Sequence, residues 1–308
     1  MVPLLFAVTI VCYGLINLAP GDPIDSLVSI EAGGVSPEDL LVRKQELGLD
    51  APIAVRYVRW LGELGRGNLG YSIANGQPVV LRVSERLGGT LQLMAAALAI
   101  SVCFGVSAGV LMAVRQGTWI DGVGALFSFA AASMPTFFLG LGAIYLLSLK
   151  LDIFPTGGMD TIGRPFALGD RLWHLVLPAT ILSLVHVAEL MRYTRASMLD
   201  VLHLDFVRTA RAKGLVRGRV LFRHALPNAM LSVITIVGLT IPQLLGGTLI
   251  TETIFQWPGM GSLSIEAIRQ RDYPVVMAVV LVSAVAVLFV NLVTDLLYAV
   301  ADPRIRYD

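Results

Sequence analysis

Long apolar runs alternate with shorter polar segments along most of this chain. Six runs are long enough to cross a bilayer core, which needs about 20 helical residues. They occupy residues 1–19, 91–114, 123–149, 172–190, 228–250 and 275–297. The pattern therefore predicts an all-α integral membrane protein with six transmembrane helices.

The segment between the first two runs, residues 20–90, is too long for a simple connection and predicts helices of its own. Ser36-Pro37 is typical of a helix start, and Gly48 of a helix end. An apolar stripe at helical spacing follows, formed by Ile53, Tyr57, Trp60, Leu61 and Leu64. This stripe predicts either an interfacial helix that braces the bundle or a surface that receives an external protein. The chain then divides into a first helix (1–19), an external segment (20–90) and a five-helix core (91–308).

Composition supports a membrane protein independently of the pattern. Hydrophobic residues make up 56% of the chain and charged residues 15%, fewer charges than the roughly 25% of a soluble domain. The net charge of +1 gives no reason to expect a nucleic-acid partner. Cys12 and Cys103 both lie in apolar runs and are predicted to be small core residues rather than a disulfide or a metal pair.

Basic residues mark one side of the membrane. Arg115 lies in the short segment 115–121, and Arg304 and Arg306 lie in the C-terminal tail. The segment 191–227 holds eight more: Arg192, Arg195, Arg208, Arg211, Lys213, Arg217, Arg219 and Arg223. The positive-inside rule places these three segments, and so both termini, in the cytoplasm. The first run lacks a charged start and a cleavage pattern, so we predict an anchor rather than a signal peptide.

The segment 199–227 has an ordered pattern beyond its charge. Apolar residues recur at helical spacing at Leu199, Leu202, Phe206 and Ala210. Gly214 then stands where a helix C-terminal stop belongs, and Val216, Val220 and Leu221 suggest a second short helix. Pro227 suits the first turn of the next helix. A loop that only sets topology would not need this helix–Gly–helix–Pro order.

Residues 208–227 resemble the cytoplasmic EAA loop of ABC-importer permeases. Arg208, Thr209 and Ala210 occupy the first three places, Gly214 the glycine, and Leu226-Pro227 the end. Arg208 and His224 depart from the general pattern, which has glutamate and isoleucine there. The run Arg-Thr-Ala-Arg-Ala-Lys-Gly is the variant of the peptide and nickel branch. Four further segments resemble the corresponding segments of dipeptide and oligopeptide permeases, namely 20–23, 251–261, 271–274 and 302–306.

This resemblance implies a type I importer permease whose loop docks on a separate ATPase subunit. The coupling residues would be Arg208, Thr209, Ala210, Arg211, Gly214, Leu226 and Pro227. The implied partners are a homologous second permease, two ATPase subunits that hold ATP and Mg, an external substrate-binding protein and membrane lipid. The implied location is the plasma membrane of a bacterium or archaeon. Peptides are the expected substrate, and nickel complexes, glutathione or other small solutes stay open.

The sequence contains no recognisable catalytic set. Its histidines, His174, His186, His203 and His224, form no His-Glu-x-x-His pattern. None of Lys44, Lys150 and Lys213 is followed by serine or threonine, so this chain has no P-loop. We therefore expect a transport subunit without a cofactor of its own, in which another polypeptide binds ATP.

Prolines and glycines interrupt the apolar runs. Pro135, Pro178 and Pro242 remove helix hydrogen bonds and could surround a translocation path, although ordinary bundle packing is an equal alternative. Gly105 and Gly109 are four residues apart, which predicts a close approach between two helices.

Ionisable residues within the runs are few, and they lie near the ends. Glu189 and Asp295 are predicted to form salt bridges or caps. The lack of a midplane acid or base weakens an ion-coupled secondary transporter, which stays an alternative together with a membrane scaffold that transports nothing.

Overall fold

The computed structural model describes residues 2–18 and 51–301, and these residues are predominantly helical. Within them, the only extended pairing is an isolated bridge between Tyr71 and Pro78. The helix predicted near Ser36 and the basic residues of the C-terminal tail lie outside the described residues. An all-helical chain is what its apolar runs require, because a helix satisfies its own backbone hydrogen bonds inside a membrane.

Eleven helices, α1 to α11, follow one another through the described residues. Their bounds are Val2–Leu18 (α1), Ile53–Gly65 (α2), Val79–Val114 (α3), Trp119–Ser133 (α4), Thr136–Ala143 (α5), Leu168–Leu202 (α6), Asp205–Ala212 (α7), Arg217–Arg219 (α8), Leu226–Ile254 (α9), Met260–Arg269 (α10) and Tyr273–Ala301 (α11). Two π-helical stretches extend this set. Ile144–Lys150 continues α5, and Val220–Ala225 joins α8 to α9.

Every predicted membrane run falls on one or two of these helices. In the described residues, four stretches are long and apolar enough to cross a bilayer: α3, α6, Arg217–Ile254 and Tyr273–Thr294. The third run is broken into α4 and α5, and it makes a fifth crossing if the pair is one span. Helix α1 is a shorter apolar helix of 17 residues, so a sixth crossing stays a prediction.

The break between α4 and α5 has a local cause at Pro135. The two helices are bent by 101°, and Met134 has an extended ψ of 130° at the junction. Proline disfavours helical geometry in the residue before it and has no N–H to donate, so α4 ends there. Pro178 and Pro242, by contrast, lie inside uninterrupted helices.

One compact unit consists of Met1–Gly89 with Pro258–Leu288. In it, three aromatic rings join α1 to α2: Tyr13 meets Tyr57 at 5.4 Å between ring centroids and Trp60 at 6.1 Å. The Thr9 and Tyr57 hydroxyls are also 3.0 Å apart, within hydrogen-bond distance. Two residues of the predicted stripe on α2, Tyr57 and Trp60, therefore contact α1, whereas Ile53 is exposed.

A buried ion-pair network, which we call the Arg82 network, also belongs to this unit. Arg82 bonds to Asp272 at 3.2 Å through Nη1 and to Glu266 at 3.0 Å through Nη2. Asp272 is fully buried and accepts further bonds from the Ser72 hydroxyl and the Ile73 amide. A buried charge is stable only when it is paired and hydrogen-bonded in this way.

The second compact unit, Thr90–Trp257 with Phe289–Asp308, is arranged around α6. At 1.5 Å per residue this 35-residue helix is about 50 Å long, well beyond the roughly 30 Å of a bilayer core. It packs against α4 and α9 along its length. It therefore continues out of the membrane, where the sequence predicted only the span 172–190.

Close packing between α3 and α6 confirms the prediction from Gly105 and Gly109. A Cβ atom at Gly105 would lie 2.8 Å from the Leu190 Cβ, and one at Gly109 would lie 2.6 Å from the Met191 carbonyl oxygen. Real side chains do not approach so closely, so only glycine fits.

Trp257 and Cys103 of the second unit differ in exposure. Trp257 is fully buried in an apolar cluster with Leu93 and Leu244. The prediction that Cys103 is a core residue is wrong, because it is exposed, and Cys12 is half-buried.

Candidate functional site

The predicted coupling loop, residues 199–227, starts in the last turn of α6, which ends at Leu202. Leu204 is extended (ψ 151°) and precedes the first residue of α7, Asp205. The short break at His203 and Leu204 interrupts the helix that the spacing from Leu199 to Ala210 predicted. The chain therefore leaves the long α6 rod and starts a separate two-turn helix.

Helix α7 is held by a small apolar cluster on one face. Val207 and Ala210 are buried against Val220, with Leu202 and Leu215 partly buried around them. Phe206, which the sequence placed on this inner face, is 40% exposed. The break before α7 shifts the helical phase by one residue, and Val207 takes the position expected for Phe206.

Gly214 ends the turn after α7, as predicted. Its φ is +76°, in the left-handed region that favours glycine. Backbone hydrogen bonds close the turn from Lys213 to Thr209 at 3.0 Å and from Leu215 to Ala210 at 3.4 Å. A Cβ at Gly214 would meet no atom within 4 Å, so the backbone angle alone requires glycine here.

The return into the membrane confirms the second half of the pattern. Val216 is extended before α8, and the π-helical stretch continues directly into α9, with Pro227 in its first turn. A second apolar cluster holds this part, where Ala225 packs with Met198 of α6 and Ala113 of α3. The predicted order of helix, glycine turn, helix and proline is therefore present.

The predicted coupling residues divide into three groups in the structure. Arg208 and Thr209 lie on the exposed side of α7, where Arg208 bonds to Asp205 at 3.4 Å with both side chains largely exposed. Arg211 lines a cavity on another side of the helix. The remaining four, Ala210, Gly214, Leu226 and Pro227, shape or pack the backbone.

The sequence did not predict the contacts that tie this loop to its neighbours. Arg195 of α6 forms a two-point bond to Asp121, from Nε to Oδ1 at 2.6 Å and from Nη2 to Oδ2 at 2.8 Å. Arg217 donates a bond from Nη2 to the Val114 carbonyl oxygen at 3.2 Å. These partners are 74 and 103 residues apart, and no local pattern could pair them.

A groove of about 730 Å³ lies between α3, α4 and α6 and is lined by apolar side chains such as Phe104, Phe127 and Met191. None of the three predicted path prolines lines this groove, and their role in a path stays a prediction. Pro178 is buried in the packing of α6.

Glu189 of α6 approaches a histidine rather than the arginine that follows it. Its carboxylate is 4.0 Å from His186 Nδ1, and within the described residues it makes no ion pair with Arg192. The side chain of Asp295 lies outside the described part of the chain.

The family model described as "Binding-protein-dependent transport system inner membrane component" matches residues 105–307. A putative peptide permease protein of Brucella suis biovar 1 is 44% identical over 98% of this chain and 95% of its own length. The oligopeptide transport system permease protein AppB of Bacillus subtilis is 43% identical, covering 99% of this chain and 96% of AppB. The dipeptide transport system permease protein DppB of Escherichia coli K12 is 38% identical, covering all of this chain and 96% of DppB.

Among solved structures, an inward-facing conformation of the MetNI methionine ABC transporter matches with a TM-score of 0.58. The match covers 72% of this chain and 97% of the other at 14% identity, and it shows a shared fold. It confirms the predicted helical fold of a type I importer permease. The relatives are named as permeases, which confirms the prediction of a transport subunit rather than an enzyme.

Proposed function

The chain belongs to the family of binding-protein-dependent transport system inner membrane components, and we propose that it forms half of the translocation path of a di- and oligopeptide importer. It is a multi-pass membrane permease subunit of an ABC importer. Family membership argues against an ion-coupled secondary transporter or a scaffold that transports nothing. The names of the three relatives favour peptides over nickel complexes and glutathione.

The observation that carries the proposal is the exposed side of α7. Arg208 and Thr209 lie on a short helix whose opposite side is fixed by buried Val207 and Ala210. A rigid, charged helix that projects from the membrane-spanning bundle is suited to docking on a separate protein. Since this chain has no P-loop, we assign that protein as an ATPase subunit.

The complete importer would contain four membrane-associated subunits and one external protein. This chain would pair with a homologous second permease, and two ATPase subunits holding ATP and Mg would bind the coupling loops. An external binding protein would deliver the peptide. The excess of basic residues in 191–227 supports placing this loop and both termini in the cytoplasm. The inner-membrane family supports the plasma membrane of a bacterium or archaeon as the location.

Closure of the ATPase pair would then move the permease through α6. Helix α7 follows α6 after two residues, and the Arg195–Asp121 bond ties α6 to the start of α4. A displacement of α7 would therefore shift the 35-residue α6 rod as one body, together with the α4 and α9 helices packed on it. Rigid-body motion of packed helices is how a site in the membrane gains alternating access.

The translocation path itself is proposed to include Pro135, Pro178 and Pro242. Pro135 supports this most directly, because the 101° break between α4 and α5 leaves backbone groups that need water or neighbouring chains. Segment 20–90 is proposed to face the external binding protein. Residues 91–308 would then form the five-helix core.

A mild-detergent pull-down of this chain from its native membrane, followed by mass spectrometry, tests the assembly. Recovery of a second permease with two ATPase subunits supports the importer, and the binding protein that copurifies identifies the substrate class. Recovery of this chain alone, from a preparation in which known complexes survive, would contradict the proposal.

A further inference from the structure

A cavity of about 250 Å³ lies between the coupling loop and the ends of α3 and α6. We call it the basic cavity. Its polar lining includes His203, Arg211 and Arg217, and its apolar lining includes Val114, Leu202 and Leu221. The imidazole and the two guanidinium groups come from three places, which are the residue after α6, helix α7 and helix α8, and Gln116 after α3 adds an amide. Basic side chains from different parts of the loop therefore line one cavity, rather than forming a patch on a single helix.

The charges of this cavity are not neutralised by the described part of the chain. Arg211 makes no hydrogen bond or ion pair there. Arg217 uses one N–H for the Val114 carbonyl oxygen at 3.2 Å and keeps its other donors. Among the described residues, no carboxylate lines the cavity. Two guanidinium groups that share one cavity repel each other, and an anion between them would remove that cost.

His203 also lines this cavity. Its Nδ1 lies 2.6 Å from the Leu199 carbonyl oxygen, and because a carbonyl can only accept, Nδ1 donates this bond. The other ring nitrogen, Nε2, can donate to a phosphate oxygen only when the ring carries both protons, so the two arginines carry the argument.

We propose that the basic cavity binds the phosphate headgroup of an anionic phospholipid. A basic pocket between transmembrane helices on the cytoplasmic side is typical of lipid headgroup sites. The apolar wall of Val114, Leu202 and Leu221 suits the glycerol and the start of the acyl chains, which a free phosphate ion does not have. The volume is below the roughly 300–1,000 Å³ of a site for a drug-sized ligand.

A bound headgroup would stiffen the link between α6 and the coupling loop. Its phosphate oxygens would accept hydrogen bonds from Arg211 of α7 and Arg217 of α8 at once, and guanidinium groups form such forks well. Lipid composition would then set how firmly α7 follows α6. This consequence rests on the proposed function, whereas the lipid site itself does not.

Lipid binding to the purified full complex tests the site, with short-chain phosphatidylglycerol as the probe and phosphatidylcholine as its neutral counterpart. Native mass spectrometry would count the bound lipids. We expect Arg211→Gln with Arg217→Gln to weaken phosphatidylglycerol binding roughly tenfold or more, since each arginine near the membrane surface contributes about 1 kcal/mol. Phosphatidylcholine binding should not change.

The matched control is Arg219→Gln with Arg223→Gln, which removes two exposed arginines of the same loop that neither line the cavity nor belong to the predicted coupling residues. We expect this control pair to bind phosphatidylglycerol as the wild type does. An equal loss of binding in both pairs would mean that the basic loop attracts anionic lipid nonspecifically, and it would contradict a site in the cavity. If the glutamine pair does not fold, Arg211→Lys with Arg217→Lys keeps the charge and loses the forks, and its binding should be intermediate. If the lysine pair binds phosphatidylglycerol with wild-type affinity, the claim that two-point guanidinium hydrogen bonds contribute to binding is wrong.

Two further outcomes would overturn the assignment to lipid. Inorganic phosphate or pyrophosphate that displaces phosphatidylglycerol at low concentration would identify a free anion as the ligand. Loss of the ATPase subunit from the glutamine pair, with lipid binding unchanged, would show that a carboxylate of that subunit fills the cavity. Neither result alters the test of the importer itself, which depends on recovery of the wild-type assembly.

Discussion

The Arg82 network and the coupling loop both contain arginines, but these side chains differ in their exposure and in the number of groups they bond to. The Arg82 side chain is 8% exposed and bonds to two carboxylates and a serine of its own compact unit. In the coupling loop the Arg208 side chain is 69% exposed and has one weak partner, and Arg211 has none among the described residues. Buried charge must be satisfied within the fold, whereas exposed charge is available to lipid or to another protein.

Asp272→Ala should have the largest effect on stability. It leaves the buried Arg82 with only the partly exposed Glu266 as an acid partner, and breaking a buried pair in this way costs about 3–5 kcal/mol. We expect a marked fall in the midpoint of thermal unfolding in detergent and little folded protein at growth temperature. Replacing the pair together, with Arg82→Met and Asp272→Leu, should recover most of the loss.

Asp205→Ala is the matched control for the exposed loop. It removes a carboxylate that also pairs with an arginine, but at 3.4 Å and with its side chain 95% exposed. Surface pairs of this kind contribute little to stability. Equal destabilisation by Asp205→Ala and Asp272→Ala would contradict the claim that the buried pair stabilises the fold and the exposed pair does not.

Gly109→Val should have the next largest effect. Its side chain would overlap the Met191 carbonyl oxygen and Thr194, so α3 and α6 would move apart at a cost of about 1–3 kcal/mol. Gly142→Ala controls for the loss of a helical glycine, because nothing lies within 4 Å of its Cβ position. Thermal unfolding of both variants in detergent measures the difference, and equal stability would argue against close packing at Gly109.

Substitutions at Gly214 separate backbone strain from packing. Gly214→Val forces a β-branched residue to a φ of +76° and should cost about 1–3 kcal/mol locally. Asparagine tolerates this region better, so Gly214→Asn should keep more ATP-coupled uptake than Gly214→Val. Uptake and ATP hydrolysis in proteoliposomes compare the two. Equal activity would mean that the left-handed turn does not position α7.

Arg208→Glu should have the smallest effect on stability and a clear effect on coupling. The side chain is exposed, so unfolding should be unchanged. Charge reversal on the docking side of α7 should lower the ATPase activity stimulated by substrate by a few-fold. Normal coupling in Arg208→Glu, measured at low salt where surface charge matters most, would move the docking surface away from this residue.

Local backbone features of the loop were predictable from sequence, and contacts across the chain were not. Gly214 and Pro227 follow from the geometry of a helix end and a first turn, which neighbouring residues determine. Phe206 was misplaced because the break after α6 has no proline or glycine to mark it. Asp272 and Arg82 are 190 residues apart, and only the fold brings them together.

In the membrane-spanning helices, too, local features were predictable from the sequence and long-range contacts were not. Their positions follow from apolar length alone, and the structure places a helix on each. Burial of Trp257 was not predictable, because an interfacial and a buried tryptophan have the same local sequence around a turn. The Arg195–Asp121 bond likewise depends on which helices pack together.

The central claim is that α7 docks on an ATPase subunit, and site-specific cross-linking of Thr209→Cys tests it most directly. Cys12 and Cys103 would first be replaced by alanine, which leaves one thiol on the exposed side of α7. Tyr71→Cys, at an exposed position in the predicted external segment, is the matched control. We predict that Thr209→Cys links to the nucleotide-binding subunit and Tyr71→Cys does not. If Thr209→Cys gives no cross-link to the nucleotide-binding subunit in a complex that retains its ATPase subunits, the claim is contradicted.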